Sequence, residues 1–290
     1  MSGAFADRLT EATRACGAPL CVGLDPFPHR IPALFGDARG DVGAVEKFSE
    51  AILERAAGKC AAVKPQIGLF EPYGPEGFAA ARALTAKART LGLPVILDAK
   101  RGDIGTTAEG YARATLGPAP GFDADCVTVN PYLGLDSLEP FLALAEATGK
   151  GVAVLVRTSN PGARDVQDLL VDGAPLWTRV AEMLKPTMDR LASGSGWSNL
   201  MVVAGATWPE EARRLRTILP TALFLVPGYG AQGASAADAL AGLVGGFGGI
   251  VSASRSILYP SAATAARTMS DWNAAIDDAL LAARTELSAT

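Results

Sequence analysis

The chain has 290 residues, 49% of them apolar and 19% charged, and its 26 basic against 30 acidic side chains leave a net charge of −4. That describes a globular chain with ample core: no window is apolar for long enough to span a membrane, and there is no basic footprint for nucleic acid. With His29 as the single histidine, a His-containing nucleophile triad, a zinc-protease helix and a multi-histidine metal site all lack their parts, so acid–base chemistry rests on Asp, Glu, Lys, Tyr or Cys.

Residues 1–18 are polar and amphipathic and carry no apolar signal core, which leads to the expectation of a cytoplasmic protein. Cys16, Cys21, Cys60 and Cys126 are scattered without a C-x-x-C pair and read as free buried thiols of a reducing compartment. His29 stands among prolines and reads as a surface loop residue. Along the chain, short β-branched or apolar runs alternate with alanine-rich stretches of helical period. The runs predict strands over 20–25, 61–66, 94–100, 126–130, 151–158, 200–205, 223–228 and 249–254. Helices are expected between them, among others over 42–58, 77–91, 176–192 and 210–219, with a last one over 262–289. Continuous apolar strands fit a parallel sheet covered by helices on the outside. Eight such units in this length, with no linker or low-complexity tract, predict an α/β fold: one closed (β/α)8 TIM barrel, a single domain across 1–290. Asn160-Pro161-Gly162 opens an elaborated loop over 162–173 after the fifth strand.

In such a barrel the chemistry belongs at the C-terminal ends of the strands. Asp25, Lys64, Asp98, Lys100, Asn130, Thr158, Ser159 and Arg255 all fall there. The densest group is Asp98-Ala99-Lys100-Arg101-Gly102-Asp103-Ile104, which follows the apolar run Pro94-Val95-Ile96-Leu97. Asp98 and Lys100, two apart on a strand, are expected on the same face, where opposite charges hold each other ionised. A lone D-x-K also serves as a plain salt bridge at a barrel rim; the company of the other rim residues raises it above that. Gly228-Tyr229-Gly230-Ala231-Gln232-Gly233 matches the dinucleotide pattern G-x-G-x-x-G, but it follows the seventh strand and no acidic residue ends the next. A phosphate site explains it better, with backbone N–H groups and a helix N-terminus facing the anion, helped by Gln232 and Arg255.

Together these tokens resemble the orotidine 5′-phosphate decarboxylase family, in particular its longer bacterial branch. The segment from Asp98 to Ile104 matches the family's D-x-K-x-x-D-I, and the segment from Ala62 through Lys64 to Glu71 matches the preceding strand with its lysine. Gly23-Leu24-Asp25-Pro26, Thr158-Ser159-Asn160-Pro161-Gly162, Val226 to Gly233 and Ser252-Ala253-Ser254-Arg255 complete the ordered set. The resemblance implies cofactor-independent, metal-free decarboxylation of orotidine 5′-monophosphate. Lys64, Asp98, Lys100 and Asp103 would form the charged array, with Lys100 stabilising and protonating C6. Asp25 would bind the ribose, Ser159 the pyrimidine edge, and Gln232 and Arg255 the phosphate. It also implies a homodimer in which Asp103 and Thr107 reach into the neighbouring subunit's site, with no nucleic-acid or membrane partner. The rival reading is a magnesium-dependent sugar-phosphate lyase or decarboxylase of the same barrel frame. Lys64 stands against it, because a metal site there would prefer a carboxylate. A nucleotide-binding module without catalysis would have no use for the Asp98–Lys100 pair.

Overall fold

The eight apolar runs form eight strands whose ends fall within two residues of the expected ones: β1 (Leu20–Leu24), β2 (Ala62–Pro65), β3 (Ile96–Arg101), β4 (Cys126–Val129), β5 (Gly151–Arg157), β6 (Ser198–Ala204), β7 (Ala222–Val226) and β8 (Gly249–Ala253). The computed structural model describes residues 3–230 and 233–288. The strands pair parallel in the order β2-β1-β8-β7-β6-β5-β4-β3. Bridges Val63–Val95 and Gln66–Asp98 join the two ends, so the sheet closes into the expected barrel. Every residue of β1, β2, β4, β6, β7 and β8 is buried. Side chains on one face fill the barrel and those on the other meet the helices, which is why the runs do not alternate with polar residues.

The helices are α1 (Phe5–Cys16), α2 (Val42–Ala56), α3 (Gly74–Thr90), α4 (Gly105–Leu116), α5 (Leu135–Thr148), α6 (Arg164–Gln167), α7 (Leu176–Met183), α8 (Lys185–Arg190), α9 (Pro209–Ile218), α10 (Ala236–Leu240), α11 (Arg255–Leu258), α12 (Ser261–Ala265) and α13 (Met269–Ser288). Two expected helices are broken. The one over 176–192 divides into α7 and α8 because Pro186, near the start of α8, has no N–H to continue the ladder. The one over 262–289 divides where Ala266 turns extended. Thr268 then accepts from the amide of Asp271 at 3.1 Å and starts α13 afresh; residue 289 lies outside the described residues. The loop after β5 is elaborated as expected, with α6 followed by an antiparallel pair, Leu170–Val171 with Ala174–Pro175. His29 is exposed, and the four cysteines are free and buried.

Two apolar compartments result. One lies between barrel and helices, where α13 seats Trp272 against Phe35 and Phe48. The other fills the barrel, where Cys21, Ile96, Cys126, Met201 and Leu223 meet Phe5 and Leu9 of α1. The amide of Phe5 donates to Gly149 and that of Ala6 to the side chain of Asn199, both at 2.8 Å. These bonds seat α1 across the end where the strands begin. With that end sealed, only the C-terminal end can open to a ligand. No helix among the described residues is long and apolar enough to cross a membrane.

Candidate active site

The site is organised by an irregularity in β3. The ladder with β4 runs Ile96–Cys126 and Leu97–Val127, then resumes at Arg101–Val129. Three residues of β3, from Asp98 to Lys100, therefore stand opposite Thr128 alone. Lys100 has φ of 46°, in the left-handed region that side-chain-bearing residues rarely occupy. Asp98 and Lys100 do meet, but strand alternation is not the reason: the bulge and the turn at Lys100 bring them together. Lys100 Nζ donates to Asp98 Oδ1 at 2.6 Å and Lys64 Nζ to Oδ2 at 2.8 Å. Thr128 Oγ1 adds a bond to Oδ1 and Gln66 Nε2 one to Oδ2, both at 3.0 Å. A carboxylate has about four acceptor positions, and here each is used.

Burial alone would raise the pKa of Asp98, but the Lys64 and Lys100 ammonium groups override it and hold the carboxyl well below its usual range. Burial likewise disfavours the Lys64 cation, and Asp98, then Asp25, keep it charged, with its pKa above the ordinary value. Lys64 and Asp98 are each 6% exposed. The Lys100 side chain is 48% exposed. The inner pair is thus fixed, and Lys100 is the cation that reaches into open space.

That space is a cavity of about 510 Å³ at the C-terminal end of the barrel. Asp25, Lys64, Asp98 and Lys100 form its charged side, Leu155, Val203, Leu225 and Pro227 an apolar wall, and Thr158, Ser159 and Arg255 a polar margin. Asp25 Oδ1 is buried without a hydrogen-bond partner, an acceptor suited to a ligand hydroxyl. Ser159 sits where the chain leaving β6 passes against it. A Cβ at Gly205 would come within 2.8 Å of the Ser159 backbone, so the close approach requires glycine there. Gln167 of α6 reaches back to Thr158, accepting from its amide at 3.0 Å and donating to its hydroxyl at 2.8 Å.

Arg255 opens α11 at the cavity margin, while Gln232 lies outside the described residues. The glycine loop follows β7, and Gly228, Gly230 and Gly233 all adopt positive φ. The helix after this loop, α10, caps its own N-terminus, whereas α11, after β8, begins at the cavity margin with Arg255. Ser235 and Asp238 close a capping box on α10, with the Asp238 amide donating to Ser235 Oγ at 3.2 Å. A carboxylate at that N-terminus opposes an anion. Asn130 does not line the cavity and caps a tight turn by accepting from the amide of Tyr132 at 3.0 Å. Asp103 and Thr107 do not line the cavity. Asp103 is half-buried and its Oδ1 accepts from the amide of Ile104, while Thr107 is exposed on the first turn of α4.

Sequence reasoning assigned no role to Gln66, Thr128 or Gln167. Alternation marks the first two, since Gln66 stands two residues beyond Lys64 and Thr128 is the polar member of Val127-Thr128-Val129. Nothing local marks Gln167, which arrives from the excursion after β5.

The profile of the Orotidine 5′-phosphate decarboxylase / HUMPS family matches residues 18–268. A protein of Rhodopirellula baltica named orotidine 5′-phosphate decarboxylase is 40% identical over 266 residues, covering 88% of each chain. One of the same name from Deinococcus radiodurans is 43% identical over 262 residues, covering 89% of this chain and 90% of its own. The solved structure of Leishmania donovani OMP decarboxylase superposes with a TM-score of 0.75 at 33% identity, covering 97% of this chain and 99% of that one.

Proposed function

The chain belongs to the Orotidine 5′-phosphate decarboxylase / HUMPS family, and from that membership we propose that it converts orotidine 5′-monophosphate to uridine 5′-monophosphate and carbon dioxide, the last step of de novo pyrimidine nucleotide synthesis. The observation that carries the reading is the Asp98 carboxylate clamped between two ammonium groups, one of which, Lys100, reaches into the cavity. The family name also covers magnesium-dependent sugar-phosphate chemistry. Lys64 favours the decarboxylase, because a bound cation would need a carboxylate at its position.

Loss of carbon dioxide breaks the bond from C6 to the carboxyl carbon and leaves the electron pair on C6, in the ring plane and outside the π system. The site must therefore favour that carbanion electrostatically. Opposite charges about 4 Å apart attract by about 4 kcal/mol at an effective dielectric of ~20, so an ammonium held in place before reaction contributes substantially. Lys100 stabilises the developing charge, gives its proton to C6 and regains one from water. Asp98 faces the substrate carboxylate and repels it, and the repulsion disappears as carbon dioxide leaves. No electron sink is required, which is why the scheme uses no cofactor.

Asp25, with its unpartnered oxygen, and Lys64 bind ribose hydroxyls. Ser159 reads the pyrimidine edge, and Arg255 and Gln232 hold the phosphate. Asp103 and Thr107 complete the site of a second copy: they do not line this chain's cavity, and the adjacent loops after β3 and β4 leave Ile104, Tyr132 and Leu133 exposed for a partner. The enzyme works in the cytoplasm, where its four thiols stay reduced. Incubation with orotidine 5′-monophosphate in deuterated water tests the reaction. Equal amounts of carbon dioxide and uridine 5′-monophosphate carrying deuterium at C6 are expected. Turnover of a hexulose phosphate with magnesium, and none of orotidine 5′-monophosphate, would establish the rival.

A further inference from the structure

One side chain that the reaction scheme does not use closes the gap in β3. Asp98, Ala99 and Lys100 stand opposite Thr128 alone, so the one-to-one register with β4 is interrupted there. Thr128 Oγ1 accepts from the amide of Ala99 at 3.0 Å and from that of Lys100 at 2.9 Å. It places its own proton on Asp98 Oδ1 at 3.0 Å. A hydroxyl has one donor and two acceptor positions, and all three are occupied within the protein. Thr128 lines the cavity and is 1% exposed, yet its hydroxyl has no capacity left for a substrate.

We propose that Thr128 is a positioning residue for the decarboxylation: its hydroxyl locks the left-handed turn at Lys100 and so aims the Lys100 ammonium and the Asp98 carboxylate into the same part of the cavity. The inference rests on the function proposed above. A residue such as lysine keeps positive φ only where its surroundings impose it, and here two amide bonds to one oxygen do so. Without them, β3 relaxes toward an extended strand and Lys100 Nζ swings away from the point where C6 must lie.

Thr128→Val keeps the shape and removes the hydroxyl. It should lower kcat by about tenfold to a hundredfold, as expected for a catalytic group displaced by roughly 1 Å, with KM changed by less than about threefold. Thr128→Ser should restore kcat to within about threefold of the parent, because it returns the same three bonds. Titration with uridine 5′-monophosphate counts competent sites and separates slower turnover from loss of folded protein. Hydrogen exchange gives a readout independent of substrate. The Ala99 and Lys100 amides should exchange more than about tenfold faster in Thr128→Val and remain protected in Thr128→Ser. If Thr128→Val does not fold, Thr128→Cys replaces it; its weaker sulfur partner should leave kcat below that of Thr128→Ser, and equal values overturn the proposal. Parental kcat in Thr128→Val, or Thr128→Ser as slow as Thr128→Val, also overturns it. A wild-type protein inert toward orotidine 5′-monophosphate would refute the functional reading instead, while amide exchange still decides whether Thr128 holds the turn.

Discussion

Asp125 and Asp98 are both buried carboxylates, 1% and 6% exposed, at opposite ends of neighbouring strands. Asp125 precedes β4 at the sealed end. One of its oxygens accepts from Arg8 of α1 and the other from the amide of Val95, each at 2.8 Å. One cation answers one anion, and the pair fastens α1 to the barrel. Asp98, at the open end, receives two ammonium groups, and beside it Asp25 keeps one oxygen without a partner. Burial and ion pairing are common to both ends and do not distinguish structure from chemistry. The distinction is access: Arg8 Nε, unpartnered at the sealed end, is buried, whereas at the open end a half-exposed ammonium and an unpartnered acceptor face the same cavity.

Single substitutions test that contrast. Lys100→Ala should reduce turnover by about 10⁴-fold, the combined scale of a lost general acid and a lost electrostatic contact. Its melting temperature should stay close to the parent's, since half of that side chain is already in water. Substantial residual decarboxylation would remove Lys100 from its role. Asp125→Ala should do the reverse. It strands the Arg8 guanidinium, lowering unfolding free energy in urea by about 3 kcal/mol while kcat per folded molecule is unchanged. A matching fall in kcat would mean that the two ends are not separable.

Smaller effects sharpen the picture. Arg255→Ala removes a charge-assisted contact worth about tenfold to a hundredfold. It should appear as a loss of preference for orotidine 5′-monophosphate over unphosphorylated orotidine in kcat/KM; an unchanged preference would contradict the phosphate assignment. The smallest effect is on pH dependence. The pKa of Asp98 is lowered by folding, so its contribution to stability is full above about pH 4 and lost as pH falls through the folded value. That of Lys64 is raised, so its contribution is full below about pH 10 and lost only as pH rises beyond that. Urea midpoints should therefore show no step from this pair between about pH 5 and pH 9. A step in that window that vanishes in Asp98→Asn would show that the carboxylate is not held ionised.

The barrel was legible because strands buried on both faces must be apolar throughout, and eight such runs stand out between alanine-rich stretches. The charged residues were legible because each ends a run. The local geometry was not. Nothing in Asp98-Ala99-Lys100 announces a bulge or a positive φ, because both depend on the register with β4 and on the Thr128 hydroxyl across the gap. Gln167 was invisible for a related reason, since only the folded excursion after β5 turns it back onto Thr158, nine residues earlier. Other departures had local signals: Pro186 at the helix break, and Thr268 with Asp271 at the restart.

Loss of orotidine 5′-monophosphate absorbance on adding the purified protein in excess EDTA tests metal-free decarboxylation by this cavity without intermediaries. Full conversion to uridine 5′-monophosphate, at a rate the chelator does not alter, is the predicted result. Folded protein that leaves the nucleotide untouched, or converts it only when magnesium is restored, would contradict the account.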